Sequence, residues 1–194
     1  MEKLVKKAKD YVKQLRDEEP TGHDFHHALR VYNNALYLSV GKDVDLLVIS
    51  LAALLHDLDD PKISSKDSHL AEDFLKQNLE EKKQREVMDI IESISFTKQK
   101  HGVYPESLEG KIVQDADRLD ALGAIGIARC FAYTGNKQKL IYNESIDDDS
   151  AIAHFYQKLL NLDIYMNTTE AKIIAENRIK YMKNFLEVFF NEWR

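Results

Sequence analysis

The strongest constraint in this chain is a short run, Leu51-Ala52-Ala53-Leu54-Leu55, that ends abruptly in His56-Asp57. The run has no polar face, so it reads as a helix buried on all sides. Leu58, Asp59, Asp60, Pro61 and Lys62 follow at once. Pro61 disfavours α geometry at Asp60, which predicts that the helix stops there. A dense polar cluster therefore closes an apolar helix, inside the protein rather than on its skin. Burying such charges unpartnered costs on the order of several kcal/mol. A bound cation removes that cost, and this stretch is the expected seat of the chemistry.

Helical periodicity organises the rest. Residues 2–17 are predicted as an amphipathic helix through Leu4, Val5, Ala8, Tyr11, Val12 and Leu15. Pro20-Thr21-Gly22 breaks it, and Asp24 is placed to cap a second helix over about 25–40. The central helix is expected from about Val44 to Leu58, with polar helices over 66–78 and 82–95. Residues 96–110, holding Gly102, Pro105 and Gly110, read as a loop. One helix is expected over 111–132, and a loop from Gly135-Asn136. Asp147-Asp148-Asp149-Ser150 should cap a further helix, with Ile152, Phe155, Leu159, Leu162 and Met166 as its stripe. Thr168-Thr169-Glu170 restarts the chain into a last stripe, Ile174, Met182, Phe185, Leu186, Phe189 and Trp193. No strand alternation or internal repeat stands out. The expectation is one all-α domain over 1–194, a helical bundle with its core at about 20–130. A C-terminal helix pair, at about 150–193, packs on it.

Charge and cysteine usage narrow the function classes. The 194 residues carry a formal net charge of −6, which argues against a nucleic acid polymer as partner. A small anionic substrate stays compatible, because a bound metal inverts the local field. The single cysteine, Cys130, allows no internal disulfide and reads as a small buried hydrophobe, as expected in a reducing cytosol. No apolar run approaches the roughly 20 residues a bilayer span needs, and Met1–Lys7 lacks the apolar core of a signal peptide. A cytoplasmic location is expected. The apolar stripe on the C-terminal helices is either an internal seam or a homodimer interface.

The dipeptide His56-Asp57 is weak by itself, since His23-Asp24 repeats it. Context strengthens it. His27 lies early in the second helix, with Arg30 one turn on, and Asp117 lies in Asp115-Ala116-Asp117-Arg118-Leu119-Asp120. Two imidazoles and two carboxylates form a mixed N/O set, suited to a divalent first-row ion with coordination positions left for water and substrate.

The pattern His27…His56-Asp57…Asp117 resembles the HD superfamily of metal-dependent phosphohydrolases. Gly22–Val31, Leu54–Lys62 and Asp115–Gly126 are similar to three motifs of a bacterial subfamily, and Ala153–Leu160 resembles a C-terminal signature found there. The resemblance implies a helical bundle whose single metal is held by His27, His56, Asp57 and Asp117. Manganese is the first expectation; magnesium, cobalt, nickel, iron and zinc stay open. It also implies hydrolysis of a nucleoside triphosphate to monophosphate and pyrophosphate. A nucleoside monophosphate phosphatase and a non-catalytic nucleotide-sensing module are the alternatives. Oxygen chemistry at two irons would need further His or Asp ligands. One departure leaves the register open by one residue: His26 stands before His27, where an aromatic is common.

Phosphoryl hydrolysis needs a nucleophile, charge neutralisation and a leaving group. Metal-bound water is the expected nucleophile, with Asp57 orienting it and Asp60 as general acid or base. Lys62, Arg30 and Arg118 are the candidate phosphate contacts, and Asp120 is expected to orient Arg118, Lys62 or a metal ligand. His23 and His26 are either supports for the ligands or plain solvated and structural histidines. His69 and His101 are expected at the surface, and His154 in a structural role. Gly123 and Gly126 lack a strand-to-helix setting, so close helix packing is expected rather than a phosphate loop. Phe131–Lys139 reads as a cover for a nucleotide or as a solvated connection.

Overall fold

In a computed structural model, residues 1–60, 68–95, 99, 101–145 and 149–193 are described. Pro61, Lys62, the expected helix start at 66, and Asp147-Asp148 lie outside them. All regular structure among the described residues is helical. The backbone divides into two compact units, 1–19 with 23–117, and 20–22 with 118–194.

In the first unit, α1 (Glu2–Arg16) buries Val5, Ala8 and Val12. Helix α2 (Phe25–Leu38) starts at Asp24, whose carboxylate accepts from the His27 N–H at 2.7 Å. Helix α3 (Leu46–Leu55) is the centre of this unit and packs against α1, α2 and α5. Every residue from Val48 to Leu55 is buried. Each buried leucine contributes roughly 1.5–3 kcal/mol relative to exposure. Asp45 caps α3, accepting from Leu47 and Val48 N–H at 2.9 and 3.1 Å, and Lys83 pairs with that carboxylate. Helices α4 (Leu70–Lys76) and α5 (Glu81–Ser93) follow. Helix α6 (Leu108–Asp120) is tied within this unit by Asn34, which donates to the Ala116 carbonyl at 3.5 Å. Gln114 donates to the Ile94 carbonyl at 3.2 Å.

The second unit holds α7 (Gly123–Asn136), α8 (Ala151–Gln157) and α9 (Thr169–Glu192). Thr168 caps α9, accepting from Ala171 N–H at 3.3 Å. The buried stripe of α9 is Ala171, Ala175, Ile179, Met182 and Leu186.

Several boundaries differ from the sequence reading. The helix expected over 111–132 is two. Leu122 is extended and Gly123 has φ +73°, a left-handed corner that a side chain rarely adopts. A Cβ on Gly126 would lie 2.2 Å from the Ala121 carbonyl oxygen, so the close packing expected there is against the backbone of that corner. Helix α6 begins inside the expected loop 96–110, and α7 runs on through Gly135-Asn136. The stripe Ile152–Met166 is not one helix. After α8 it passes through two 3₁₀ turns, Leu159–Asn161 and Leu162-flanked Asp163–Tyr165, yet Leu159, Leu162 and Met166 are all buried. A spacing of three suits a 3₁₀ turn as well as an α-helix. The central helix is shorter than 44–58: beyond Leu55 the chain makes turns, with Leu58 N–H bonded to the Leu55 carbonyl at 3.1 Å.

Candidate metal centre

The end of α3 gives the centre its first side chain. Helix C-termini leave carbonyls without intrahelical partners. His56 uses one: its Nδ1 lies 3.0 Å from the Ala53 carbonyl oxygen, so Nδ1–H donates there. That bond fixes the tautomer and turns the Nε2 lone pair inward. The first turn of α2 supplies His27, 1% exposed, whose Nε2 stands 3.3 Å from His56 Nε2. Asp57 places Oδ2 3.1 Å from His27 Nε2 and Oδ1 3.3 Å from His56 Nε2. Asp117, near the end of α6, puts Oδ1 3.6 Å from both imidazole nitrogens. The register left open by the sequence is decided by helix phase: His27 points into this cluster and His26 is exposed.

The donor set fits a cation. Ligand atoms of His27, His56 and Asp57 all lie within 4.8 Å of one another. Ligands about 2.0–2.2 Å from an ion stand roughly 3–3.5 Å apart, and the observed separations run from 3.1 to 3.6 Å. Two imidazole nitrogens and two carboxylates converge here, a mixed N/O donor set that suits a divalent ion. Asp57 and Asp117 keep 21% and 33% of their side chains open, so the cluster has a solvent side for water and substrate.

Electrostatics agree. Burial works against the His56 imidazolium, but the Asp57 charge, the Asp117 hydrogen bond and charge, and the Ala53 carbonyl outweigh it. The pKa is pushed up to about 9. Burial likewise opposes ionisation of Asp57 and Asp117, yet the two imidazoles hold Asp57 well below its ordinary value and Asp117 down to about 2. The site thus keeps both carboxylates charged and reserves a position for positive charge.

The remaining sequence candidates fall in several places. Asp60 is half-buried in the turn after the cluster, its N–H donating to the Asp57 carbonyl at 3.3 Å. Arg30 is half-buried on α2. Lys62 is outside the described residues. Arg118 is buried, and its Nη1 donates to the Tyr165 carbonyl within the second unit. Asp120 pairs with Arg129 at 3.0 Å. The His23 ring meets His27 edge-on at 5.8 Å, and its charge helps depress Asp57. His69 and His101 are exposed, and His154 is half-buried. Cys130 is buried, and burial pushes its thiol up to about 11, which makes it inert as a nucleophile.

Two supports escaped the sequence reading. Arg16 donates to the Leu58 carbonyl at 2.9 Å, securing the turn that follows His56-Asp57. Asp59 accepts from Ser68 Oγ at 2.5 Å and from the N–H groups of Leu70 and Ala71 at 2.8 and 3.0 Å, so it holds the start of α4. Nothing local marks Arg16 for that role. Asp59 stood one residue from the candidate Asp60 and had the residue type of a cap.

A model of the HD domain matches residues 24–122, a span that contains all four side chains of the cluster. The chain belongs to the HD family. It is 38% identical to the uncharacterized protein YpgQ of Bacillus subtilis over 95% of this chain and 91% of that one. The crystal structure of YpgQ in complex with ADP superposes with a TM-score of 0.81 at 35% identity, covering 97% of each chain. An HD-superfamily hydrolase from Bacillus thuringiensis gives 0.77 at 40% identity, over 99% of this chain and 97% of that one. This HD protein is a metal-dependent phosphohydrolase. Among its described residues no helix is long and apolar enough to cross a membrane.

Proposed function

We propose that the protein hydrolyses a nucleoside triphosphate to the monophosphate and pyrophosphate. The observation that carries this reading is the four-residue N/O cluster with its two carboxylates open to solvent. A nucleotide substrate is supported by YpgQ, which is similar along nearly its whole length and whose crystal structure is a complex with ADP. His27, His56, Asp57 and Asp117 would hold one divalent ion, manganese first among the candidates. Such an ion lowers the pKa of a coordinated water towards about 7 and offsets phosphoryl charge.

The chain's own residues do the rest. Asp57 orients the attacking water through whichever oxygen is left to it. Asp60, the next carboxylate along, takes the proton from that water or returns one to the leaving pyrophosphate. Water adds at the α-phosphorus, and the bond from that phosphorus to the bridging oxygen breaks. Arg30 and Lys62 bind phosphate oxygens. Arg118, given its bond to the Tyr165 carbonyl, supports the fold around α6 rather than the substrate.

The test is a metal screen with product identification. Metal-stripped protein receives manganese, magnesium, cobalt, nickel, iron or zinc with a panel of nucleoside mono-, di- and triphosphates, beside a His56→Ala/Asp57→Ala control. Pyrophosphate released from triphosphates, and lost in the control, is the expected result. Inorganic phosphate from monophosphates alone would replace this reading with a monophosphate phosphatase. Metal binding without turnover on any nucleotide would leave a sensing role.

A further inference from the structure

Two arginines of the second unit hold the corner between α6 and α7. Arg178 of α9 donates to the Leu119 carbonyl at 2.5 Å, and a Cβ on Gly123 would lie 3.1 Å from the Arg178 Cγ. Arg129 of α7 does more. Its Nε donates to the Gly22 carbonyl at 2.8 Å, and its Nη1 donates to Asp120 Oδ2 at 3.0 Å. The chain at Gly22, with φ +84°, runs against the Arg129 stem, since a Cβ there would lie 3.2 Å from Cγ. The Asp120 side chain is 3% exposed and that of Arg129 15%, so water competes little for these bonds. Gly22 and Asp120 both lead directly to metal-centre side chains along the chain. His27 comes five residues after Gly22, past the Asp24 cap. Asp117 comes three before Asp120, about one turn back along α6.

We propose, given the metal reading of the four-residue cluster, that Arg129 is a positioning residue for it. Its guanidinium fixes the chain at Gly22 against the chain at Asp120, and so sets where His27 and Asp117 stand. A guanidinium is planar, and its Nε and Nη1 donate in fixed directions. One side chain therefore holds two segments at a set spacing, which a lysine ammonium on its flexible stem does not do. The His27 and Asp117 ligand atoms lie 3.6 Å apart, and a ligand constellation tolerates only about 0.5 Å of misplacement. Arg178 bonds to one of the two segments, at Leu119, and so secures the corner without setting that spacing. The sign of the effect separates positioning from charge. A nearby cation repels a metal ion, so an arginine acting through its charge would tighten metal binding when removed. An arginine acting on the fold alone would lower the melting temperature and leave the affinity of the folded protein as it was.

Cobalt(II) is the probe. Its affinity, by competition with a chelator, and its visible absorption are measured on the metal-stripped full chain. The parent is compared with Arg129→Lys, Arg129→Gln, Arg178→Lys and His27→Ala, each checked for folding by circular dichroism. Lysine keeps the charge beside Asp120 and loses the fork, so Arg129→Lys remains testable if Arg129→Gln does not fold. Arg129→Lys should bind cobalt about tenfold more weakly than the parent, with altered visible bands. Arg129→Gln should weaken binding at least as much. Arg178→Lys should melt lower yet keep an affinity and bands close to the parent's. Parental affinity and bands in Arg129→Lys overturn the proposal. So does tighter binding in Arg129→Gln, which makes charge the cause. An equal loss in Arg178→Lys overturns it as well, since any loosening of the corner would then suffice. A parent that binds no cobalt, or His27→Ala with parental affinity, refutes the metal reading itself and this role with it.

Discussion

The first unit contains the same dipeptide twice, and the two copies do different work. His23-Asp24 precedes a helix; His56-Asp57 follows one. At a helix start, amide N–H groups lack partners, and Asp24 accepts one of them, the N–H of His27. At a helix end the free groups are carbonyls. There the histidine is satisfied, through Nδ1–H to Ala53, while Asp57 finds no helix amide. Its oxygens turn instead to two imidazole nitrogens, 3.1 and 3.3 Å away. Helix polarity, not the dipeptide, decides which pair becomes a cap and which a candidate metal centre. The copies are also linked: the N–H capped by Asp24 belongs to the histidine that meets His56.

The sharpest way to break this comparison is to delete the second copy. His56→Ala or Asp57→Ala should lower phosphohydrolase turnover by about a thousandfold or more, because charge stabilisation at the reacting centre goes with the ion. Bound metal, counted by atomic emission after dialysis, should fall with it. Full metal occupancy in Asp57→Ala would place the ion elsewhere and leave helix polarity with nothing to explain.

A second effect is graded in pH. Without metal, the Asp57 and Asp117 charges outweigh burial and hold the His56 proton up to about 9. An incoming ion must displace that proton. Below pH about 9, metal affinity should therefore fall about tenfold for each unit of acidification, as read by competition with a chelator of known proton behaviour. The stability sign agrees. A histidine raised from its ordinary 6.5 to about 9 stabilises the metal-free fold fully below 6.5, and that contribution is lost as pH rises through 9. Melting of metal-free protein should fall over this window, and added metal should reverse the fall. An affinity flat from pH 7 to 9 would show that His56 carries no proton to displace.

What the sequence made legible follows from how local each cause is. An all-apolar run needs no knowledge of its neighbours to be read as buried, so α3 and the polar cluster closing it stood out. His26 and His27 did not separate, because the choice depends on helix phase, set by the Asp24 cap. The break at Leu122-Gly123 was hidden, since glycines within a helical pattern also mark close packing. The bond from Arg118 to the Tyr165 carbonyl was out of reach, because an arginine's acceptor on a distant backbone leaves no trace in its own neighbourhood. Leu159, Leu162 and Met166 were read correctly as buried and wrongly as one α-helix, because burial fixes spacing and not hydrogen-bond pattern.

The smallest effect bears hardest on the first copy. If Asp24 is a cap and nothing more, Asp24→Ala removes one side-chain acceptor from the start of α2. The expected loss is about 1 kcal/mol, or roughly 2–4 °C in melting temperature for a chain of this size. Turnover should fall modestly, within about tenfold, because His27 loses the bond that seats its backbone while its imidazole remains. Asp24→Asn discriminates further. Asparagine caps a helix start about as well as aspartate, so this variant should recover both the lost stability and the lost turnover. It removes the charge and keeps the acceptor. Were Asp24→Asn as damaging as Asp57→Ala, the charge of the first copy would itself take part in the chemistry, and position at one helix end or the other would no longer separate the two.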